Sequence, residues 1–204
     1  VGGAGIENIK RLKLLTKKDF EKSINFKLNV KNILVTHHPV TLEIKTSKKH
    51  FQELLDSIDE LKNTNIIFTK ANSDADGKVI NQMINQYTKK NFEKSISIDS
   101  LGQLKYLSAL QYMDFIIGNS SSGLLEAPSF KIGTINIGDR QNGRLKAESV
   151  IDCLPNKKNI KKAIKKIYSN KFQTLLKDVK NPYGHTCASK KIIKVLKTAK
   201  LNKI

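Results

Sequence analysis

Two short polar segments of this chain contain residue types that bind phosphate. The first, Gly-Asn-Ser-Ser-Ser-Gly at 118–123, follows the strand-like run Asp-Phe-Ile-Ile at 114–117 and opens an apolar, helix-compatible stretch. A strand that turns into a helix here directs backbone N–H groups and hydroxyls toward one point. We therefore predict that Ser120 and Ser121 donate hydrogen bonds to a phosphate or pyrophosphate, and that Ser122 serves mainly in the helix cap. Plain capping is the simpler explanation for serine at this position, but three consecutive serines exceed what one cap needs.

The second segment, Gly-Asp-Arg-Gln-Asn-Gly-Arg at 138–144, holds two of the three arginines in the sequence. Lysine and arginine together number 37, so nearly every other cation is lysine. A guanidinium can make bidentate contacts with phosphate or carboxylate that an ammonium cannot. We expect Arg140 to bind phosphate, whereas the residues leave three roles open for Arg144: supporting Arg140, reaching another domain, or facing solvent.

Polar residues also follow two other apolar runs. His38 comes after Asn-Ile-Leu-Val-Thr at 32–36 and precedes a proline, and its ordinary pKa of about 6.5 suits a hydrogen-bond donor or a base. A packed histidine at a strand end is the alternative. His37 points to the opposite side of an extended chain and is the weaker candidate. Asn72 precedes an acidic turn whose neighbours do not form a calcium loop, so we expect no metal ion.

Strand-like and helix-like segments alternate along the chain. Strands are predicted at 32–36, 65–69, 95–98, 114–117 and 134–137, with a weaker one at 149–151; helices are predicted near 17–23, 47–61, 77–89, 102–112, 157–168 and 186–196, and after the serines. This alternation predicts an α/β fold with a doubly wound parallel sheet, Rossmann-like in type. Ligands bind at the carboxyl ends of the strands in such sheets, so the polar segments should meet at one edge.

Composition narrows the possible functions. The 204-residue chain has a net charge of +19, but its lysines are dispersed and no tryptophan accompanies them. Lysines that face solvent explain this charge better than nucleic-acid binding does, but nucleic-acid binding stays an alternative.

No apolar stretch approaches the roughly 20 residues that cross a bilayer. Cys153 and Cys187 form neither a metal nor a disulfide pattern, so a cytoplasmic location is expected. We also expect the chain to be a fragment of a longer protein.

In this order, the segments resemble the UDP-N-acetylglucosamine 2-epimerase family, above all its hydrolysing branch. The matching features are His-His-Pro-Val-Thr at 37–41, Asn-Ser-Asp-Ala-Asp-Gly at 72–77, the serine segment with Glu126, the arginine segment, and Asn-Pro-Tyr-Gly at 181–184. The serine segment joined to the arginine segment at this spacing is the most specific of them. The resemblance runs from about Gly2 to the C-terminus.

The resemblance implies a domain arrangement and a reaction. Family members have two Rossmann-like domains in a GT-B arrangement, with the UDP-sugar bound between them. By this likeness, residues 1–28 are a lead-in from a missing N-terminal domain, 29–180 the UDP-binding domain, and 181–204 a helix that packs back toward the missing domain. The implied reaction converts UDP-N-acetylglucosamine and water to UDP and N-acetylmannosamine, by elimination and rehydration, for sialic-acid-type sugars. No cofactor is implied.

The resemblance also implies roles for individual residues. His38 would be catalytic, close to the sugar–phosphate bond. Glu126 would accept hydrogen bonds from the ribose hydroxyls, although a glutamate in the first turns of a helix more often balances the helix dipole. The remaining UDP-binding residues would be Asn72, Ser120, Ser121 and Arg140, with Asn119, Gly123 and Arg144 as further candidates.

Several alternatives stay open. The substrate is either UDP-N-acetylglucosamine or a UDP-linked 2,4-diacetamido sugar, because the residues that contact the sugar lie largely in the missing half. A GT-B glycosyltransferase would also have a phosphate-binding C-terminal half. The non-enzymatic alternative is a basic nucleic-acid-binding domain. If the chain is part of a 2-epimerase, the expected partners are the UDP-sugar and the missing domain, with no nucleic acid or membrane. The intact protein is expected to be a homo-oligomer, and the fragment alone to be inactive.

Overall fold

Six parallel strands form the sheet at the centre of the molecule. The structure, a computed structural model, describes residues 2–3, 5–39, 46–71, 75–184 and 188–199, with 75 and 76 described for the backbone only. The strands are β1 (Lys31–Thr36), β2 (Thr64–Thr69), β3 (Ser95–Ile98), β4 (Phe115–Gly118), β5 (Gly133–Ile137) and β6 (Val150–Cys153). Their order, β3-β2-β1-β4-β5-β6, is that of a doubly wound Rossmann-like sheet. The predicted fold class is confirmed, including the weaker sixth strand.

Helices cover both faces of this sheet. Within the described residues they are α1 (Ile6–Arg11), α2 (Lys17–Ile24), α3 (Ser47–Ile58), α4 (Ala75–Lys90), α5 (Gly102–Leu110), α6 (Ser122–Leu125), α7 (Lys157–Ile167), α8 (Asn170–Asp178) and α9 (Ala188–Thr198). The sequence analysis missed α1 and α8. Helix α8 starts directly after α7, where Ser169 caps it by accepting a hydrogen bond from the Phe172 N–H. It was missed because its sequence is polar enough to resemble a loop between helices.

Alternate strand residues separate the core into two layers. Ile33 and Val35 of β1 face a layer formed with α3, α4, α7 and α8. Leu34, between them, faces a second layer that includes Phe20 of α2 and Leu107 of α5. This is the two-residue periodicity of a strand buried on both faces. None of the helices in the described ranges is both long and apolar enough to span a membrane.

The winding direction of the sheet reverses between β1 and β4. These two strands pair in parallel, with Ile33 opposite Phe115 and Thr36 opposite Gly118. Crossover connections leave this point in opposite directions, so a crevice opens above the carboxyl ends of β1 and β4. The serine segment follows β4 and His38 follows β1, whereas the arginine segment follows β5, the next strand in the sheet. The proposed boundaries at 28 and 180 stay predictions.

Candidate functional site

A hollow of about 640 Å³ opens at this edge of the sheet. Its walls come from the ends of β1 and β2, the segment between β3 and α5, the start of α5 and the turn after β4. The polar and aromatic side chains that line it include His38, Lys70, Tyr106, Ser120, Ser122 and Glu126. Three of the predicted site residues, His38, Ser120 and Glu126, therefore share one space. A concave site with a few converging polar groups is the usual form of a small-molecule site.

The end of β4 lies unusually close to the end of β1. Gly118 has a φ of +143°, and a Cβ added there would lie 1.9 Å from the Thr36 carbonyl oxygen. The Asn119 N–H donates a hydrogen bond of 3.1 Å to the same oxygen. A side chain at 118 cannot be accommodated, so glycine is required for the serine turn to start directly against β1.

The three serines have different surroundings. Ser120 Oγ accepts a 3.4 Å hydrogen bond from the Ser122 N–H, and the Ser122 hydroxyl is hydrogen-bonded to the Tyr106 hydroxyl. Ser121 is the N-cap residue of α6, yet within the described residues its side chain makes no capping bond. The prediction that Ser122 serves mainly in the cap is wrong, because Ser122 is the first residue of the helix and bonds Tyr106. The helix is one turn long and continues as a 3₁₀ helix (Ala127–Phe130).

Glu126 places a carboxyl group in the wall of the hollow. Burial raises the pKa of this carboxyl from 4.5 to about 7. Its Oε2 atom is buried and has no hydrogen-bond partner among the residues that the structure describes. A buried acceptor without a partner is costly, so this position favours a ligand that donates hydrogen bonds.

The two adjacent histidines lie on opposite sides of the chain, as predicted. His38 lines the hollow. His37 is 5% exposed, and its ring centroid lies 5.5 Å from that of Phe51. Burial, with further contributions from nearby cationic groups, lowers the pKa of His37 to about 3. His37 is therefore a neutral core residue, which supports its ranking below His38.

The arginine segment reaches the serine turn through one backbone oxygen. Arg140 Nη1 donates a 3.1 Å hydrogen bond to the Asn119 carbonyl, and Gln141 Nε2 donates one of 2.8 Å to the same atom. Among the described residues that line the hollow, neither Arg140 nor Arg144 occurs. Both arginine side chains are exposed. The structure thus places Arg140 against the Asn119 carbonyl, at the start of the serine turn but outside the hollow, and Arg144 farther along the same loop.

Two further candidates have different outcomes. Gly123 is buried, and a Cβ there would lie 2.5 Å from Thr134 Cγ2. Its carbonyl accepts a 2.8 Å hydrogen bond from the Thr134 hydroxyl, so its visible role is to pack α6 against β5. Asn72 lies outside the described residues.

Three residues at or beside the site were not among the predicted binding or catalytic residues. Gln141 is 1% exposed, although it stands between polar residues in a loop. Tyr106 lies on α5 at a position that reads as an ordinary core aromatic. Lys70 follows β2 directly and pairs with Asp99 at 2.5 Å. Its position at a strand end could have identified Lys70 as a site residue. The positions of Gln141 and Tyr106 in the site depend on tertiary packing.

Comparisons with known proteins find relatives over most of this chain. Residues 1–197 match the family profile described as UDP-N-acetylglucosamine 2-epimerase. A Campylobacter jejuni protein named GDP/UDP-N,N'-diacetylbacillosamine 2-epimerase (hydrolyzing) is 43% identical over 85% of this chain and 44% of its own length. Polysialic acid biosynthesis protein P7 of Escherichia coli is 36% identical over 97% of this chain and 50% of its own length.

A structural neighbour shows the same fold. A crystal structure of Methanocaldococcus jannaschii UDP-GlcNAc 2-epimerase in complex with UDP-GlcNAc and UDP superposes with a TM-score of 0.74 at 20% identity, covering 98% of this chain and 54% of that one. The chain thus spans half or less of the length of the two curated relatives, and about half of this neighbour.

Proposed function

This chain belongs to the UDP-N-acetylglucosamine 2-epimerase family, and from that premise we propose that it is the nucleotide-binding half of a hydrolysing 2-epimerase. Its substrate is a UDP-linked, N-acetylated amino sugar. The observation that carries the proposal is the hollow at the β1–β4 edge, where His38, Ser120 and the unpartnered carboxyl of Glu126 converge. The matched relatives are about twice as long, so the rest of the site belongs to another domain.

Each residue has a role that fits its surroundings. The Ser120 and Ser121 hydroxyls donate hydrogen bonds to the diphosphate, and the exposed Arg140 guanidinium neutralises it at the rim. Only one of the five N–H donors of Arg140 is needed for its bond to Asn119. Glu126 accepts hydrogen bonds from the ribose hydroxyls, which supplies the partners that its buried oxygen lacks.

The reaction is an elimination followed by hydration. A base removes the proton from C2 of the sugar, the C1–O bond breaks, and UDP leaves with that electron pair. Water then adds across the resulting double bond, with hydroxyl at C1 and a proton at C2. In this half of the enzyme, Arg140 and the serines stabilise the charge on the departing diphosphate. His38 donates a hydrogen bond or proton to the leaving oxygen.

The name of one relative supports a choice between the two substrates. The relative that is 43% identical has a name that specifies N,N'-diacetylbacillosamine, so we propose a UDP-linked 2,4-diacetamido sugar as the first candidate. UDP-N-acetylglucosamine is the second, supported by the family profile. An assay of both donors with the longest natural form of the protein, with the product sugars identified, distinguishes them.

Binding of UDP tests the nucleotide site. UDP is expected to raise the melting temperature of this chain, and the increase should disappear in Ser120→Ala/Ser121→Ala and in Arg140→Ala. Arg11→Ala is the matched control, because it removes the arginine outside the 138–144 loop. An equal UDP-induced shift in all of these variants would refute the site.

A further inference from the structure

We propose that Asn119 is a positioning residue that holds His38 and Arg140 in a fixed relation, and that it does not bind the ligand. The roles of those two side chains rest on the function proposed above. The contacts that Asn119 makes are, however, properties of the folded chain and are testable without any ligand. Sequence analysis placed Asn119 among the candidate binding residues, so this is a different role for the same side chain.

The Asn119 side chain binds both backbone groups of His38. The His38 N–H donates a 2.7 Å hydrogen bond to Asn119 Oδ1, and Asn119 Nδ2 donates a 2.7 Å hydrogen bond to the His38 carbonyl. The carboxamide thus contacts the peptide groups on either side of the His38 Cα. With both groups fixed, the direction in which the His38 side chain leaves the backbone is also fixed.

This clamp replaces strand pairing at the point where the pairing stops. The β1–β4 register ends at Thr36 and Gly118, and His38 is followed by Pro39, which has no N–H to continue a ladder. A carboxamide has one donor and one acceptor group in nearly the geometry of a peptide. Asn119 therefore extends the β1–β4 contact by two residues, to the position where His38 enters the hollow.

The backbone of Asn119 holds the other side of the site. Its carbonyl accepts hydrogen bonds from both Arg140 and Gln141. Asn119 is 1% exposed, and it does not occur among the residues that line the hollow. A single buried residue therefore connects the end of β1, the serine turn and the loop after β5, while its own side chain is already used by His38.

The first test uses the unmodified chain and does not depend on UDP. Amide hydrogen exchange, followed by NMR, should show that the His38 N–H is protected like the amides of β1, although it lies two residues beyond the strand. An His38 amide that exchanges as fast as an exposed loop amide would overturn the proposal.

The second test compares two matched variants. Asn32 makes the same two-bond contact at the opposite end of β1: it accepts from the Asn29 N–H at 2.9 Å and donates to the Asn29 carbonyl at 3.0 Å. Asn32→Ala therefore removes an equivalent pair of hydrogen bonds far from the hollow. Asn119→Ala should weaken UDP binding by about tenfold or more, since small misplacements of binding groups have effects of this size. Asn32→Ala should leave the affinity within about twofold.

The outcomes separate the two proposals. If the wild type binds UDP, and Asn119→Ala binds it as tightly with an unchanged pH titration of the His38 ring, the positioning role is wrong and the nucleotide site stands. If the wild type does not bind UDP, the proposed function fails. The His38 exchange measurement then still decides the positioning role, as it does if Asn119→Ala does not fold.

Discussion

Replacing Glu126 by glutamine should stabilise the ligand-free protein, by an amount that depends on pH. Glu126 is more than half buried, and burial raises the pKa of its carboxyl to about 7. At neutral pH the folded protein therefore either ionises this group at a cost or holds a proton that the unfolded chain releases. Glutamine has nearly the same shape and no charge, so it removes this cost.

The magnitude follows from the two pKa values. The unfolded value is 4.5 and the folded value about 7. At about 1.4 kcal/mol per pH unit the interval corresponds to at most about 3.5 kcal/mol. Because the carboxyl is partly solvated, we expect between about 1 and 3 kcal/mol. Because the folded pKa is the higher of the two, Glu126 does not destabilise the folded protein below pH 4.5. Its destabilising effect grows as the pH rises and levels off above pH 7.

Urea unfolding of the wild type and of Glu126→Gln between pH 4 and pH 8 measures this difference. The two proteins should be about equally stable near pH 4, and the variant should gain steadily up to pH 7. Glu60→Gln is the control of opposite sign, because hydrogen bonds from Lys161 and Lys157 lower the pKa of Glu60 to about 2. Above pH 4.5, Glu60→Gln should be less stable than the wild type. A pH-independent difference for Glu126→Gln would refute the reasoning.

Two glycine substitutions test the packing beneath the hollow. Gly118→Ala forces a Cβ to within 1.9 Å of the Thr36 carbonyl oxygen at a φ of +143°; we expect a loss of about 3 kcal/mol or more in urea unfolding, and a loss below 1 kcal/mol would show that β1 and β4 separate easily. Gly123→Ala brings a Cβ to 2.5 Å from Thr134 Cγ2 and should cost about 1–3 kcal/mol. Thr134→Ser removes that methyl group and keeps the hydroxyl bonded to Gly123, so the double variant should recover most of the loss. Equal stability of the single and double variants would contradict this explanation.

The fold was largely predictable because the signal for it is repeated. Five apolar runs bounded by turn residues, the first four each followed by a helical pattern, leave little choice but a parallel sheet. The missed helices have weaker signals. Helix α1 spans six residues, which is too short for periodicity to be visible, and α8 has a polar surface and starts within a few residues of α7.

The site was predictable only where chemistry and strand ends coincide. His38, Ser120 and Glu126 share the hollow because the carboxyl ends of neighbouring parallel strands are neighbours in space. The short length of the serine-opened helix had a signal that was not used, since Pro128 lies in the 3₁₀ turn that follows its single turn. Gln141 was missed for another reason: its buried side chain bonds the Asn119 carbonyl, in the turn after β4 more than twenty residues earlier.

The pairing of β1 with β4 has a consequence for folding. Ile33 and Phe115 are adjacent in the sheet, although the whole β2–β3 region separates them in sequence. The hollow therefore does not form in a partly folded chain, because its walls come together only after β1 has paired with β4. An occupant can recognise only the completed fold, so its binding energy adds to the global unfolding free energy. Saturation with such an occupant would slow opening throughout the sheet and would extend proteolytic resistance to segments that it never touches.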